Sequence, residues 1–399
     1  MGSQISSQTC SKPWVEWFAH RIDDPVARLK FLQLVTPLSA PQKRRRRSLS
    51  RLALAAAILL AILGSFFIVR TAPRVKTVAA AAPKPQVRET PAPSVPSVWQ
   101  VDKSADSEIY SNGLRIDTRF EAANHPRSYL AFPADRPDDG AGVHRIRPAG
   151  IVFHTTESRQ APFVASANRA LKQIGESLLD FVRRKHAYHY LIDRFGRVYR
   201  IVPETDAANH AGYSVWADDS WLYLNLNESF LGVSFEAQTE PGQVEPSVSL
   251  AQVRSAAMLT EMLRNRYGIS PGNCVTHAQV SVNPDNMRVG YHTDWASSFP
   301  FAELGLPDNY ARPLPALTIF GFQYDATFLH WAGTRLYAGV DLADRELARY
   351  AAESGVAPLS LRKTLQKRYR LHLAEVRSRN GESEESEGPV VFPHARGAQ

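Results

Sequence analysis

Short apolar runs alternate with stretches of helical periodicity from about residue 105 to 312. Gly150-Ile151-Val152-Phe153-His154 is a continuous apolar run with β-branched residues at 151 and 152, the pattern of a buried strand with a histidine at its C-terminal edge. Over 163–185, Ala167, Ala170, Leu171, Ile174, Leu178 and Phe181 share one face at helical spacing. Tyr188-His189-Tyr190-Leu191-Ile192 and Arg197-Val198-Tyr199-Arg200-Ile201 flank Asp193-Arg194-Phe195-Gly196, which predicts a hairpin with glycine at its turn. A further strand is expected over 230–236. Ser249 with Gln252 three residues on opens a helix with a capping box, and Gly268 ends it. A last strand, 273–277, places His277 in the same strand-end setting as His154. The alternation predicts an α/β fold with a central mixed β-sheet flanked by helices over 105–312.

Outside that region the pattern changes. Residues 313–376 read as a small C-terminal α-rich unit, with 317–320 as a strand and 341–353 and 360–376 as helices. The tail, 377–399, is polar and acidic (Glu382, Glu384, Glu385, Glu387) and reads as disordered. Toward the N-terminus, 52–69 is eighteen residues without a charge, flanked by Arg51 and Arg70. That is close to the length of a bilayer-spanning helix. A secretory signal peptide is the rival, but about fifty residues precede the span and it exceeds the usual apolar core of a signal. The expectation is a single transmembrane helix at 49–70. Residues 1–48 then form a cytoplasmic segment, and 71–104 a Pro/Ala-rich linker that stays extended.

Charge and cysteine content alter this picture little. The net charge of +8 draws five positive charges from Lys43-Arg44-Arg45-Arg46-Arg47. A basic run beside a folded domain would suggest nucleic acid; this one abuts the apolar span, where it marks the cytoplasmic side. No nucleic-acid partner is expected. The bulk of the chain would face the periplasm or cell-wall space from a bacterial inner membrane. Cys10 and Cys274 would then sit on opposite sides of the membrane, which excludes a disulfide between them. The opening Met-Gly-Ser-Gln-Ile-Ser fits a myristoylation pattern that short chance matches also produce.

The candidate chemistry lies in the two strand-end histidines and a nearby carboxylate. His154, His277 and Asp294 supply the three protein ligands of a hydrolytic Zn2+ site with one position open for water. His292, two residues before Asp294, points to the same side if the stretch is extended, and is placed to donate to an oxyanion or leaving amine. Tyr188 is placed to polarise a carbonyl. The bland alternative is that a histidine at a strand end is structural, and twelve histidines make chance groupings easy.

Five segments in order carry a family resemblance: 151–158 around His154, 188–196 with Tyr188, Asn209-His210-Ala211-Gly212, Leu231-Gly232-Val233-Ser234-Phe235, and Thr276-His277 through Asp294. Over about 145–305 the chain resembles the zinc-dependent N-acetylmuramoyl-L-alanine amidases of the type 2 family, which includes phage amidases, bacterial muropeptide amidases and animal peptidoglycan recognition proteins. The resemblance implies hydrolysis of the amide between N-acetylmuramic acid and L-alanine in peptidoglycan or a muropeptide. It implies His154, His277 and Asp294 as zinc ligands, with His292 in place of Asp294 as the alternative. It implies Tyr188 and His292 as catalytic groups, the latter where lysine is usual, and Asn209 and His210 at the substrate cleft. Ser234 stands where muropeptide amidases carry a glutamate. Glu236, on the same face by strand alternation, is the replacement candidate beside Tyr188. Histidine in place of lysine predicts a charge titrating near neutral pH. Trp221, in the aromatic stretch 215–230, is a candidate cleft residue or a packed loop residue. The competing function is a non-catalytic peptidoglycan receptor using the same cleft; filled ligand positions favour the enzyme. A regulator is expected but not identifiable from the sequence.

Overall fold

A computed structural model describes residues 97–380 apart from 139–140, 241, 243–246 and 325. The apolar span 52–69, the cytoplasmic segment, most of the linker and the tail beyond 380 lie outside the described residues. Among the described residues, no helix is long and apolar enough to cross a membrane.

The described residues open with an antiparallel run, β1 (Gln100–Lys103), β2 (Ser107–Tyr110) and β3 (Arg115–Asp117). It leaves for a second sheet with β4 (Tyr129–Pro133) and β5 (Val143–Arg145), then returns with β6 (Gly150–Thr155). All six residues of β6 are buried. That agrees with an apolar run lacking alternation, because a strand covered on both faces has no polar side. Helix α1 (Asn168–Arg184) follows, anchored by Leu171, Leu178, Leu179 and Val182. Ala170, placed on the buried face by periodicity, is exposed.

The predicted hairpin is β7 (Tyr190–Ile192) and β8 (Val198–Arg200), with Leu191 opposite Tyr199. Gly196 turns it at φ +79°, and a Cβ there would lie 2.7 Å from the Ala251 carbonyl oxygen. Strands β9 (Trp216–Ala217) and β10 (Trp221–Tyr223) complete the second sheet, in the order β5-β4-β10-β9. The fully buried β11 (Phe230–Phe235) precedes α2 (Leu250–Tyr267), which has the Ser249/Gln252 capping box and a left-handed Gly268 at its end. Next come β12 (Cys274–Thr276) and the single-turn α3 (His277–Val280). A small ribbon of β13 (Val282–Asn283) and β14 (Arg288–Val289) follows.

The main sheet is ordered β1-β2-β3-β8-β7-β11-β6-β12. It is mixed: β11 runs parallel to both β6 and β7, and β12 parallel to β6, while β7–β8 and the first edge are antiparallel. The α/β expectation with a central mixed sheet holds.

The C-terminal segment differs from its sequence reading. The expected strand at 317–320 is a helical turn, Pro315–Thr318. Proline at the first helical position presets φ, and a short apolar run does not by itself separate strand from buried helix. Helix α4 (Ala326–Glu353) begins fifteen residues before the expected 341 and breaks at Gly333. Helix α5 (Pro358–Asn380) continues past 376, so 377–380 are helical instead of disordered. Phe328, Leu336 and Val340 of α4 and Tyr369, Leu373 and Val376 of α5 belong to the same core as Phe153, Phe235 and Leu259. The last two helices are thus a wall of the core that carries the sheet.

Gly196→Ala puts a methyl group against backbone at a left-handed position. It is expected to destabilise the protein by about 1–3 kcal/mol, read as a lower urea midpoint with an unchanged slope. An unchanged midpoint would show that the turn relaxes freely.

Candidate metal centre

Strands β6 and β12 are parallel neighbours with Thr276 opposite Phe153. The next residue along each is a histidine, so the register brings His154 and His277 together; their ring centroids are 4.4 Å apart. Asp294 enters from the loop after β14. Its Oδ2 lies 3.1 Å from His154 Nδ1 and its Oδ1 2.7 Å from His277 Nδ1. All three side chains are buried, and one ligand atom from each lies within 4.8 Å of the others. The loop is pinned just after the ligand: Trp295 Nε1 donates to the His154 carbonyl at 2.9 Å, and Trp295 N donates to Thr239 Oγ1 at 3.1 Å.

Burial, then the neighbouring His277, pushes His154 down to about 4, so the imidazole is neutral and its lone pair is available. Burial alone would raise Asp294, but the two imidazoles beside it, His277 foremost, outweigh it and hold the carboxyl ionised. Two imidazole nitrogens and one carboxylate oxygen are the donor set of a three-ligand zinc site. Among the described residues, His277 Nε2 is buried without a hydrogen-bond partner.

Around these residues lies a cavity of about 590 Å³, lined by His154, His277 and Asp294 and by Tyr188, Asn209, His210 and His292. Tyr188 sits at φ +65°, with its ring 5.1 Å from that of His154. Burial, then the Asp294 charge, raises its hydroxyl above the usual phenol range, so it is a donor. His292 stacks on His277 at 4.7 Å with the rings nearly parallel, and its backbone N donates to Ser281 Oγ. Burial and the adjacent His277 push it down to about 3, which corrects the expectation of a charge change near neutral pH: the ring stays neutral there. Asn209 is exposed at the rim, its side-chain amide donating to the Lys185 carbonyl. His210 is buried against Gly232, where a Cβ would lie 2.6 Å from the imidazole Cγ.

Two sequence candidates lie elsewhere. Glu236 falls one residue past the end of β11, so strand alternation no longer applies to it. Its carboxylate accepts from Arg194 N and faces Gly175 of α1, not the cavity. Trp221 pairs with Pro133 in the second sheet and carries the Arg145 guanidinium 3.9 Å above its ring, also outside the cavity lining.

The cavity also contains residues that sequence reasoning missed. Glu157, at φ +49°, turns its carboxylate inward; Oε1 accepts from Thr155 Oγ1 and, at 2.9 Å, from Thr239 N. Burial raises its carboxyl above the ordinary range, and Asp294 adds to this. Its signal was its place just after a strand-end histidine. Asn227 Oδ1 accepts from the backbone N–H groups of His210, Ala211 and Gly212 at 2.7–2.8 Å, fixing that loop. Arg377 of α5, stacked 5.0 Å from the Tyr213 ring, completes the rim.

Glu236 also gives a pH test. Burial raises its carboxyl from 4.5 to about 7, so folding favours the protonated form. The resulting penalty is absent below the ordinary value, grows between 4.5 and about 7, and is complete above that. Glu236→Gln is expected to be more stable than wild type at pH 8 by up to about 3 kcal/mol, with the gap closing toward pH 4, and to bind zinc unchanged. Lost zinc binding would return Glu236 to the site.

Residues 144–294 match a family model described as N-acetylmuramoyl-L-alanine amidase. The N-acetylmuramoyl-L-alanine amidase AmiD of Escherichia coli K12 is 26% identical over 156 residues, 34% of this chain and 53% of AmiD. The chain thus spans about half the length of that curated relative. A solved complex of Escherichia coli AmiD with anhydro-N-acetylmuramic acid-L-Ala-D-gamma-Glu-L-Lys is 20% identical, covering 62% of this chain and 99% of that one, with a TM-score of 0.34. AmpDH3 of Pseudomonas aeruginosa with anhydromuramic pentapeptide is 25% identical, covering 40% and 59%, with a TM-score of 0.28.

Proposed function

We infer that this chain, which through residues 144–294 belongs to the type 2 N-acetylmuramoyl-L-alanine amidase family, is a zinc hydrolase that cleaves the amide between N-acetylmuramic acid and L-alanine in peptidoglycan or muropeptides. The observation that carries the reading is the convergence of His154, His277 and Asp294 at the floor of a cavity inside the matched segment. A zinc ion held by those three would act as a Lewis acid on the substrate carbonyl and lower the pKa of a water beside it.

The chain's own residues supply the proton traffic. Glu157 accepts the proton of the attacking water and returns it to the departing nitrogen. The C–O bond forms first and the C–N bond then breaks, and both protons of the water end on the departing nitrogen, leaving a lactyl carboxylate and the ammonium group of L-alanine. Tyr188 and neutral His292 each offer a donor to the developing oxyanion. The apolar span 52–69, outside the described residues, anchors the protein in a bacterial inner membrane, with the catalytic domain in the periplasm or cell-wall space.

Digestion of purified muropeptide is expected to release peptide with a free N-terminal alanine, and a chelator to abolish the release. Glu157→Gln is expected to lower kcat roughly 100- to 10,000-fold with full zinc content. Zinc binding without any release by the wild type would instead identify a peptidoglycan receptor. For the anchor, alkaline carbonate extraction should leave the full chain in the membrane pellet; recovery in the supernatant would rule out a spanning helix.

A further inference from the structure

The imidazole of His210, which lines the cavity and which sequence resemblance assigns to the substrate cleft, is also hydrogen-bonded to His154. Its Nδ1 is 3.1 Å from His154 Nε2, and its Nε2 is 3.3 Å from the Phe230 carbonyl. A carbonyl oxygen only accepts, so His210 Nε2 carries the hydrogen. In a neutral ring this leaves Nδ1 as an acceptor, and the hydrogen between the two histidines belongs to His154 Nε2. We propose that His210 is a positioning residue for the metal centre: by accepting the His154 Nε2–H, it presents His154 Nδ1 to the cation in one tautomer and one ring orientation.

This rests on the zinc reading above and adds which nitrogen is used and what fixes it. A neutral His154 has one N–H and two acceptors for it, Asp294 Oδ2 on the Nδ1 side and His210 Nδ1 on the Nε2 side. With a cation at Nδ1 the proton resides on Nε2, where His210 receives it. The surroundings are built for this contact. Asn227 clamps the His210 backbone, and the bare Cα of Gly232 lets the ring lie flat against β11. Phe230 and Gly232 both belong to β11, the strand beside β6, so the relay runs from a main-sheet carbonyl through His210 to His154. His277 lacks such support: its Nε2 is buried with no hydrogen-bond partner. The two histidines are therefore inequivalent: among the described residues only His154 has a hydrogen-bond partner at its second ring nitrogen.

The test is zinc affinity, measured by competition with a chromophoric chelator. His210→Leu keeps bulk but removes the acceptor and is expected to weaken zinc binding about 10- to 100-fold. His210→Asn places Oδ1 near the former Nδ1 and is expected to stay within about threefold of wild type. Equal affinity in all three proteins overturns the proposal, as does equal weakening in both variants, which would indicate packing alone. A wild type that binds no zinc would instead remove the underlying reading. Nitrogen NMR of the zinc-loaded wild type gives a check that needs no variant. His210 should show a protonated Nε2 and a bare, hydrogen-bonded Nδ1; the opposite tautomer contradicts the assignment.

Discussion

The parallel pairing of β6 with β12 is the constraint on which the site depends. With Thr276 opposite Phe153, the next side chains along the two neighbours are His154, near the C-terminal end of β6, and His277, just past β12. A shift of one residue would turn one of them to the other face. Asp294 then closes the group, its two oxygens reaching one imidazole each. Three buried titratable groups would be costly to desolvate singly; together they satisfy one another.

The rest of the molecule holds that arrangement still. Trp295, 2% exposed, hangs from the His154 carbonyl, and its own carbonyl accepts the Tyr310 hydroxyl at 2.7 Å. Tyr310 shares a core with α4 and α5, so the C-terminal helices brace the ligand loop from behind, while Arg377 of α5 reaches the cavity rim. Thr239 ties together Trp295 N, the Thr155 hydroxyl and the Glu157 carboxylate, linking the ligand loop to the proton-accepting group.

Much of this was legible in the sequence where local chemistry is strong. The apolar β-branched run of β6 reads as a strand because both faces are covered. The Ser249/Gln252 box and Gly268 bracket a helix because each satisfies backbone groups at its ends. The strand-end histidines follow from those elements. Illegible features were those set by tertiary contacts. Glu236 was misplaced because alternation was extended beyond the last residue of the strand. Glu157 was missed because a left-handed turn carries no periodicity. The 317–320 run was misread because burial, not strand pairing, explains its apolar character. His292 was expected to titrate near neutrality because a sequence does not reveal that the ring is stacked and desolvated against His277.

The central claim is that one zinc ion sits at the end of β6 and β12. Diffraction data collected on either side of the zinc absorption edge, from crystals of zinc-loaded protein, test it most directly. The account predicts a single strong anomalous peak within about 2.3 Å of His154 Nδ1, His277 Nδ1 and an Asp294 oxygen. A peak bound by His292 in place of Asp294, or none in this cavity at full zinc loading, would contradict it.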